Sequence, residues 1–220
     1  VKGASKGEGL GNSFLSNIRE MNALAHVVRC FEDDNITHVD GEINSTRDAE
    51  VINLELIFAD LETLYKRKDR IEKKLRSGDK ELASEFRLVE NCLKTLESGD
   101  FINIANFSSK EDIKIIKSFQ LLTAKPIFFI ANISEADSTQ ENLIALKEYA
   151  KKMNQEVIEV QIKLEEEIAS LDEQDKKDFL ELEGIEEPAL NKIIKKGYEI
   201  LGLDTFFTAG PNELRAWTLK

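Results

Sequence analysis

Cysteine and histidine are scarce in this sequence, and their scarcity removes whole classes of chemistry. Cys30 and Cys92 are the two cysteines, far apart and each in an apolar, periodic stretch. That placement argues against a disulfide framework or a zinc site and fits a reducing compartment. His26 and His38 are the two histidines, too little material for a His-based metal centre or a catalytic triad. No catalytic and no metal-ligating residue is therefore assigned. Long apolar runs are missing as well: none approaches the roughly 18 residues needed to span a bilayer. The start VKGASKGEG has neither a secretory apolar core nor an Arg/Ser-rich transit pattern, so a cytoplasmic protein with no membrane partner is expected. It also lacks an initiator Met, as expected of a chain that begins inside a longer protein. No Gly-Lys pair occurs, which excludes the P-loop spelling G-x-x-x-x-G-K-[ST] from these residues. The dinucleotide spelling G-x-G-x-x-G fails too, because Asn12 stands where the third glycine should follow Gly7-Glu8-Gly9. Positive charge is in deficit: the net charge of −12 argues against broad nonspecific nucleic-acid binding, and no DNA sequence specificity is expected.

What is present describes a helix-rich globular protein of 220 residues, 41% hydrophobic and 33% charged, long enough for one large domain or two small ones. Phe14, Leu15 and Ile18 predict a short helix over 12–21, with Asn12 or Ser13 as N-cap. Leu24–Phe31 reads as a buried strand stopped by Glu32-Asp33-Asp34-Asn35. From about Asp48 the pattern changes: Leu54, Ile57, Leu61, Leu64, Lys68, Ile71 and Leu75 alternate steps of 3 and 4, a heptad seam with one charged interruption. After Ser77-Gly78-Asp79 a second seam follows in Leu82, Phe86, Val89, Leu93 and Leu96. Two such helices joined by a short glycine-containing turn predict an antiparallel helical hairpin.

Beyond Asn103, Ser109 caps a helix through Phe119. Lys125–Asn132 is an apolar strand, 139–154 a helix, Val157–Ile162 a strand, and Glu165–Leu171 an acidic helix. Strand, helix, strand at this spacing is a βαβ unit and implies a parallel sheet. Helices at Asp172–Leu182 and Pro188–Leu201 follow, then a strand–turn–strand over Phe206–Leu219. The fold expected is an α/β core interrupted by a helical hairpin.

Three stretches are candidates for function. Open α/β sheets bind ligands at the carboxyl ends of their strands, where Asn132-Ile133-Ser134-Glu135 lies. An Asn carboxamide offers donors and an acceptor to a purine edge; the same residues also suit a plain polar turn. Gln161-Ile162-Lys163, at the end of the following strand, would adjoin that loop. The third is the basic tract Lys66, Arg67, Lys68, Arg70, Lys73, Lys74 and Arg76. It reads either as a solvated face with i,i+4 pairs such as Glu72–Arg76 or as an arm that reaches RNA or another polyanion.

The opening VKGASKGEGLGNSFLSNIRE with HVVRCFEDDNITHVDGEI resembles the Obg-related YchF family (Obg-like ATPases), P-loop proteins of the translation-factor class. Asn132-Ile133-Ser134-Glu135 is similar to that family's Asn-x-x-Glu base-recognition loop, and FFTAGPNELRAWT to the approach to its TGS domain. The resemblance implies a partial P-loop NTPase, G-domain-like, with an inserted coiled-coil hairpin and the start of a TGS domain. It places part of the nucleotide domain at 1–47, the hairpin at 48–103, the C-terminal half of the nucleotide domain at 104–203 and the truncated TGS start at 204–220. It makes Gly3, Lys6, Gly7, Gly9 and Gly11 a second switch loop that responds to the γ-phosphate. Asn132 to Glu135 would read adenine, and Gln161, Ile162 and Lys163 would stand where the fifth nucleotide motif falls.

The activity implied is hydrolysis of ATP in preference to GTP, with Mg²⁺, without a Gln after Asp-x-Ala-Gly. Adenine lacks the N1–H and 2-amino group that the GTPases' Asn-Lys-x-Asp motif rewards. The basic hairpin would meet the ribosome and its RNA, and a monomer is expected. In that family the P-loop and Asp-x-Ala-Gly would precede Val1, so the Mg²⁺ ligands are not in this chain and hydrolysis by it alone is not expected. A different class of reading is an RNA- or ribosome-binding module whose nucleotide site is regulatory and not catalytic. A third is a helical adaptor with no ligand.

Overall fold

The computed structural model describes residues 11–33, 42–76, 82–134, 139–211 and 213–219. The chain divides into two compact units, Val1–Asn22 with Glu50–Lys125, and Ala23–Ala49 with Pro126–Lys220. One helix, α2 (Ser45–Arg76), runs through the boundary between them.

The first unit is helical. It contains α1 (Gly11–Glu20), most of α2, α3 (Ala83–Glu97), a 3₁₀ turn at Ile104–Asn106 and α4 (Lys110–Ser118). As expected, the Ser109 side chain caps α4 by accepting from the Asp112 amide. The core joins Ile57, Leu64 and Ile71 of α2 to Leu88, Val89, Cys92, Leu93 and Leu96 of α3, with Ile116 and Phe119 beneath. Arg67 pairs with Glu85, Lys68 with Glu90, and the Tyr65 hydroxyl donates to Glu97, so contacts between α2 and α3 extend from the start of α3 to its last residue. The turn joining the two helices lies outside the described residues.

The expected seam needs one correction. Ile57, Leu64 and Ile71 are buried, but Leu54 is 46% exposed, while Asn53 and Asp60 are 4% and 0% exposed. The inner line runs Asn53, Ile57, Asp60, Leu64, Arg67, Ile71, also in steps of 4 and 3. Three of its members are polar, and a search for apolar repeats passes over them. Two of them are tolerated inside because they find partners: Asp60 accepts four hydrogen bonds and Arg67 pairs with Glu85.

The second unit holds the sheet. β1 (Leu24–Arg29), β2 (Ile127–Asn132) and β3 (Val157–Val160) lie in that order and all pair in parallel. β2 is central and buried on both faces, which explains the unbroken apolar run IFFIA before Asn132. Phe129 and Ala131 point into a core with Val28, Cys30, Ala49 and three residues of α5 (Thr139–Lys152), Leu143, Leu146 and Ala150. Phe128 and Ile130 point the other way, toward Val160 and toward Ala189, Ile193 and Ile200 at and along α8 (Ala189–Leu201). The start of α2 is tied to α5, since the Ser45 hydroxyl donates to the Asn142 carbonyl at 2.6 Å and the Ser45 amide to Asn142 Oδ1 at 3.2 Å.

Two expected boundaries move. β3 ends at Val160, and α6 (Ile162–Ser170) starts three residues before the acidic cluster, with Gln161 as N-cap residue. The Glu165 amide already bonds to the Gln161 carbonyl at 3.0 Å, so the helical ladder begins as soon as the strand loses its neighbour. α7 (Glu173–Leu182) is capped by Asp172, and α8 starts immediately after Pro188. β4 (Asp204–Ala209) and β5 (Leu214–Leu219) form a separate antiparallel pair exposed along its length.

Candidate functional site

Parallel pairing brings the carboxyl ends of three strands into one row, because Arg29 is opposite Asn132 and Asn132 opposite Val160. Two bonds lock that row beyond the strands: the Cys30 amide donates to the Asn132 carbonyl and the Ile133 amide to the Val160 carbonyl, each at 2.9 Å. The Asn132 backbone is thereby fixed from both sides. Its side chain is oriented by the helix that follows β3, since the Ile162 amide donates to Asn132 Oδ1 at 3.4 Å. That contact turns the carboxamide so that its NH₂ group is the end left to a ligand.

The sequence placed Asn132, Ile133 and Ser134 together with Gln161, Ile162 and Lys163, and the structure brings these two stretches to one edge. The difference is in kind. Gln161 caps α6, and Ile162 and Lys163 form its first turn, so what faces the end of β2 is the positive end of a helix, whose Ile162 amide is engaged by Asn132. Glu135 lies outside the described residues, as do Gly3, Lys6, Gly7 and Gly9. Gly11 is the first residue of α1.

On the β1 side, Arg29 folds the chain back on itself. Its Nε donates to the Phe31 carbonyl at 2.9 Å and its Nη2 to the Asp33 carbonyl at 3.3 Å, with the guanidinium 4.8 Å from the Phe31 ring centre. Sequence reasoning missed this turn; the only signal was an Arg at the end of an apolar strand. It also missed Glu165, whose carboxylate accepts from the amides of Ala189 (2.6 Å) and Leu190 (3.3 Å) and so caps α8 from 24 residues away. A carboxylate at a helix N-terminus is stabilised by the dipole and by orphan amides, but nothing in the spacing names its partner.

Burial sets the protonation of the described histidine and of both cysteines. Burial lowers the His26 pKa to about 4, so the ring is neutral where it packs against Phe129 at 5.1 Å. Burial raises the Cys30 and Cys92 thiols to about 11, far from the thiolate that reacts. Among the described residues no group of three or more His, Cys, Asp or Glu side chains could hold a metal ion, and no helix is long and apolar enough to cross a membrane.

The basic tract splits in two. Arg67 and Lys68 are half-buried; Arg67 pairs with Glu85 at 2.7 Å and lies 4.4 Å over Phe119, and Lys68 pairs with Glu90 and covers Phe86. These two belong to the packing of α2 on α3. Lys66, Arg70, Lys73, Lys74 and Arg76 are exposed. Lys66 pairs with Glu62, and Arg76 with Glu72 at 3.8 Å, the i,i+4 contacts of a solvated face. Lys66, Arg70 and Lys73, spaced 4 and 3, lie on one stripe of α2.

No protein-family model matches the chain. Among curated proteins, it is 48% identical over 224 residues to the ribosome-binding ATPase YchF of Bacillus subtilis (strain 168), covering 100% of the chain and 61% of that protein. It is 46% identical over 221 residues to the ribosome-binding ATPase YchF of Escherichia coli O157:H7, covering 60% of it. Among solved structures, that of the Schizosaccharomyces pombe YchF GTPase superposes over the whole chain and 61% of its own, with a TM-score of 0.83 at 32% identity. The chain thus spans about 60% of the length of the curated relatives it matches. The bacterial relatives are named ATPases and the yeast protein a GTPase.

Proposed function

We propose, on the premise that this chain belongs to the YchF family along its whole length, that the protein is a ribosome-associated ATPase with a preference for ATP over GTP. In this reading Asn132 is the residue that recognises the base. The observation that carries it is the placement of the Asn132 carboxamide at the end of the central strand, its oxygen held by the Ile162 amide and its NH₂ end presented outward. Such a group donates to a purine ring nitrogen. Ile133, Ser134 and Glu135 belong to the same loop, and at the start of α6, behind Gln161, Ile162 orients Asn132 while the Lys163 amide supplies a further donor.

The remaining assignments follow the same premise. Residues 1–47 and 104–203 are parts of the nucleotide domain, 48–103 an inserted coiled-coil hairpin, and 204–220 the start of a TGS domain. The exposed β4–β5 pair supports the last assignment, because two strands alone are an incomplete sheet. The stretch holding Gly3, Lys6, Gly7, Gly9 and Gly11 is the switch that follows the γ-phosphate. Mg²⁺ supplies charge neutralisation at the phosphates when bound; its ligands are assigned outside this chain, and the residues here bind and orient the base. The protein acts in the cytoplasm as a monomer.

Nucleotide titrations on the intact protein test the reading. Asn132→Ala should weaken ATP binding at least about tenfold, the loss of roughly 1.4 kcal/mol for a hydrogen bond to the base. Equal affinity for GTP, or no change in the variant, sinks the assignment.

A second reading concerns the partner surface. Among the seven basic candidates, Lys66, Arg70 and Lys73 are exposed on one stripe while Arg67 and Lys68 are absorbed by α3, which supports the stripe as the surface that meets RNA. Reversing those three charges should flatten the salt dependence of ribosome binding by up to about three units of slope; an unchanged slope removes the stripe from the interface.

A further inference from the structure

The last turn of α1 is held by more polar contacts than its length requires. Arg19 Nη1 donates to Asp60 Oδ1 at 2.9 Å and to the Gln120 carbonyl at 3.0 Å. Its Nη2 donates to the Ala59 carbonyl at 3.1 Å and to Thr63 Oγ1 at 3.0 Å. One guanidinium therefore grips a full turn of α2 and the residue after the α4 C-cap. Lys125 closes the same end, donating from Nζ to the carbonyls of Arg19 (2.8 Å) and Met21 (2.5 Å). Asp60 carries the load from the other side. Its side chain is fully buried, and it accepts from the amides of Leu122 (3.0 Å) and Thr123 (2.8 Å) and from the Thr123 hydroxyl (2.8 Å). Gln120, whose carbonyl completes the grip, is held at φ 54, a conformation non-glycine residues adopt rarely.

We infer that Arg19 is a coupling residue: it makes the end of α1, the 59–63 turn of α2 and the 120–125 segment one rigid piece. A displacement of α1 is then delivered to α2 and not absorbed between the helices. The guanidinium is a planar fork with donors in fixed directions, so sliding α1 along α2 breaks four bonds together. That is the behaviour of a two-position contact, not of a compliant one. Three residues beyond Thr63 on the same unbroken helix the exposed stripe Lys66, Arg70, Lys73 begins. α1 itself starts at Gly11, at the end of the glycine-rich stretch. The structural core of the inference stands on the contacts alone; its use in signalling rests on the reading of the protein as a nucleotide-dependent switch.

The test uses the intact protein and two variants, Arg19→Met and Arg19→Lys. The lysine variant keeps the charge beside Asp60, so its folding is retained, but one ammonium cannot reach four acceptors. Two measurements are made: amide hydrogen exchange over residues 15–20, and ribosome affinity with a non-hydrolysable ATP analogue against ADP. Exchange in α1 should rise about tenfold or more, ATP affinity should stay within about threefold, and the analogue-to-ADP ratio of ribosome affinities should fall toward one. Unchanged exchange in both variants overturns the clamp. A nucleotide-dependent wild type whose ratio survives intact in both variants overturns the coupling. A wild-type ratio of one refutes the switch reading and the signalling use with it, an outcome distinct from the other two because the wild type alone reveals it.

Discussion

Replacing Asp60 by asparagine changes almost no volume and removes one charge, and its effect can be worked out from the contacts. In the native protein Oδ1 accepts from Arg19 and the Leu122 amide, and Oδ2 from the Thr123 amide and hydroxyl. Asparagine can supply only one of the two oxygens. If the NH₂ takes the Oδ2 place, the Thr123 hydroxyl can rotate to accept from it, but the Thr123 amide faces a donor. An orphaned buried N–H costs about 1–3 kcal/mol. Arg19 keeps all four acceptors, but its bond to Oδ1 becomes neutral and loses the charge assistance that makes such a bond worth about 1.5–3 kcal/mol. Against this stands relief: burial raises the Asp60 pKa despite its four donors, so holding the charge costs stability that asparagine does not pay. A net loss of about 2–4 kcal/mol follows, measured by guanidinium unfolding at neutral pH. Thr123→Val, which deletes only the hydroxyl bond, should lose about 1 kcal/mol. A smaller loss in Asp60→Asn than in Thr123→Val would refute the claim that this carboxylate organises the helical unit.

Other expectations follow from single contacts. The folded pKa of His26 lies near 4, below its ordinary 6.5. The stability it permits is therefore fully present above pH 6.5 and is lost as pH falls toward 4, by up to about 3 kcal/mol at about 1.4 per unit. His26→Phe should flatten the stability-against-pH curve in that window, and a curve as steep as the wild type's would contradict it. Glu165→Ala removes the cap on α8 and should cost about 1 kcal/mol, read by thermal melting and by faster exchange at the Ala189 and Leu190 amides. Gly202 ends α8 at φ 62; Gly202→Ala should cost about 1 kcal/mol, while Gly197→Ala, inside the helix with open space around its Cβ position, should gain a similar amount.

Much of the fold is legible because it is written in periods. Lys125–Asn132 reads as an apolar strand because five consecutive residues, Ile127 to Ala131, are hydrophobic; α4 and its Ser109 cap, α5 and the βαβ order follow from spacing and capping chemistry. The polar interior of α2 was not legible. Asn53, Asp60 and Arg67 fall on the helix's inner line, yet hydrophobic periodicity treats such residues as surface, and the partners that make burial of Asp60 and Arg67 tolerable lie far along the chain. The same limit applies to the site. Asn132 is a candidate from sequence because strand ends in parallel sheets are where ligands gather, and the structure puts it at the end of β2. The role of Ile162 could not, because it acts through its backbone amide and any residue type would serve. Among the basic residues, composition alone could not separate Arg67 and Lys68 from Lys66, Arg70 and Lys73; the separation depends on which way each faces relative to α3.

If Asn132 reads the base as proposed, the two contacts on α6 carry a consequence for redesigning that preference. Asn132 meets the helix at its first amide, and three residues later Glu165 anchors α8, the helix whose Ile193 and Ile200 cover one face of β2 and β3. Strand end, helix start and sheet cover are thus links of one short chain. Exchanging the four residues 132–135 for those of a guanine reader would transplant the letters without their foundation. The transferable cassette runs from Asn132 through Glu165 and includes the seat it occupies on α8.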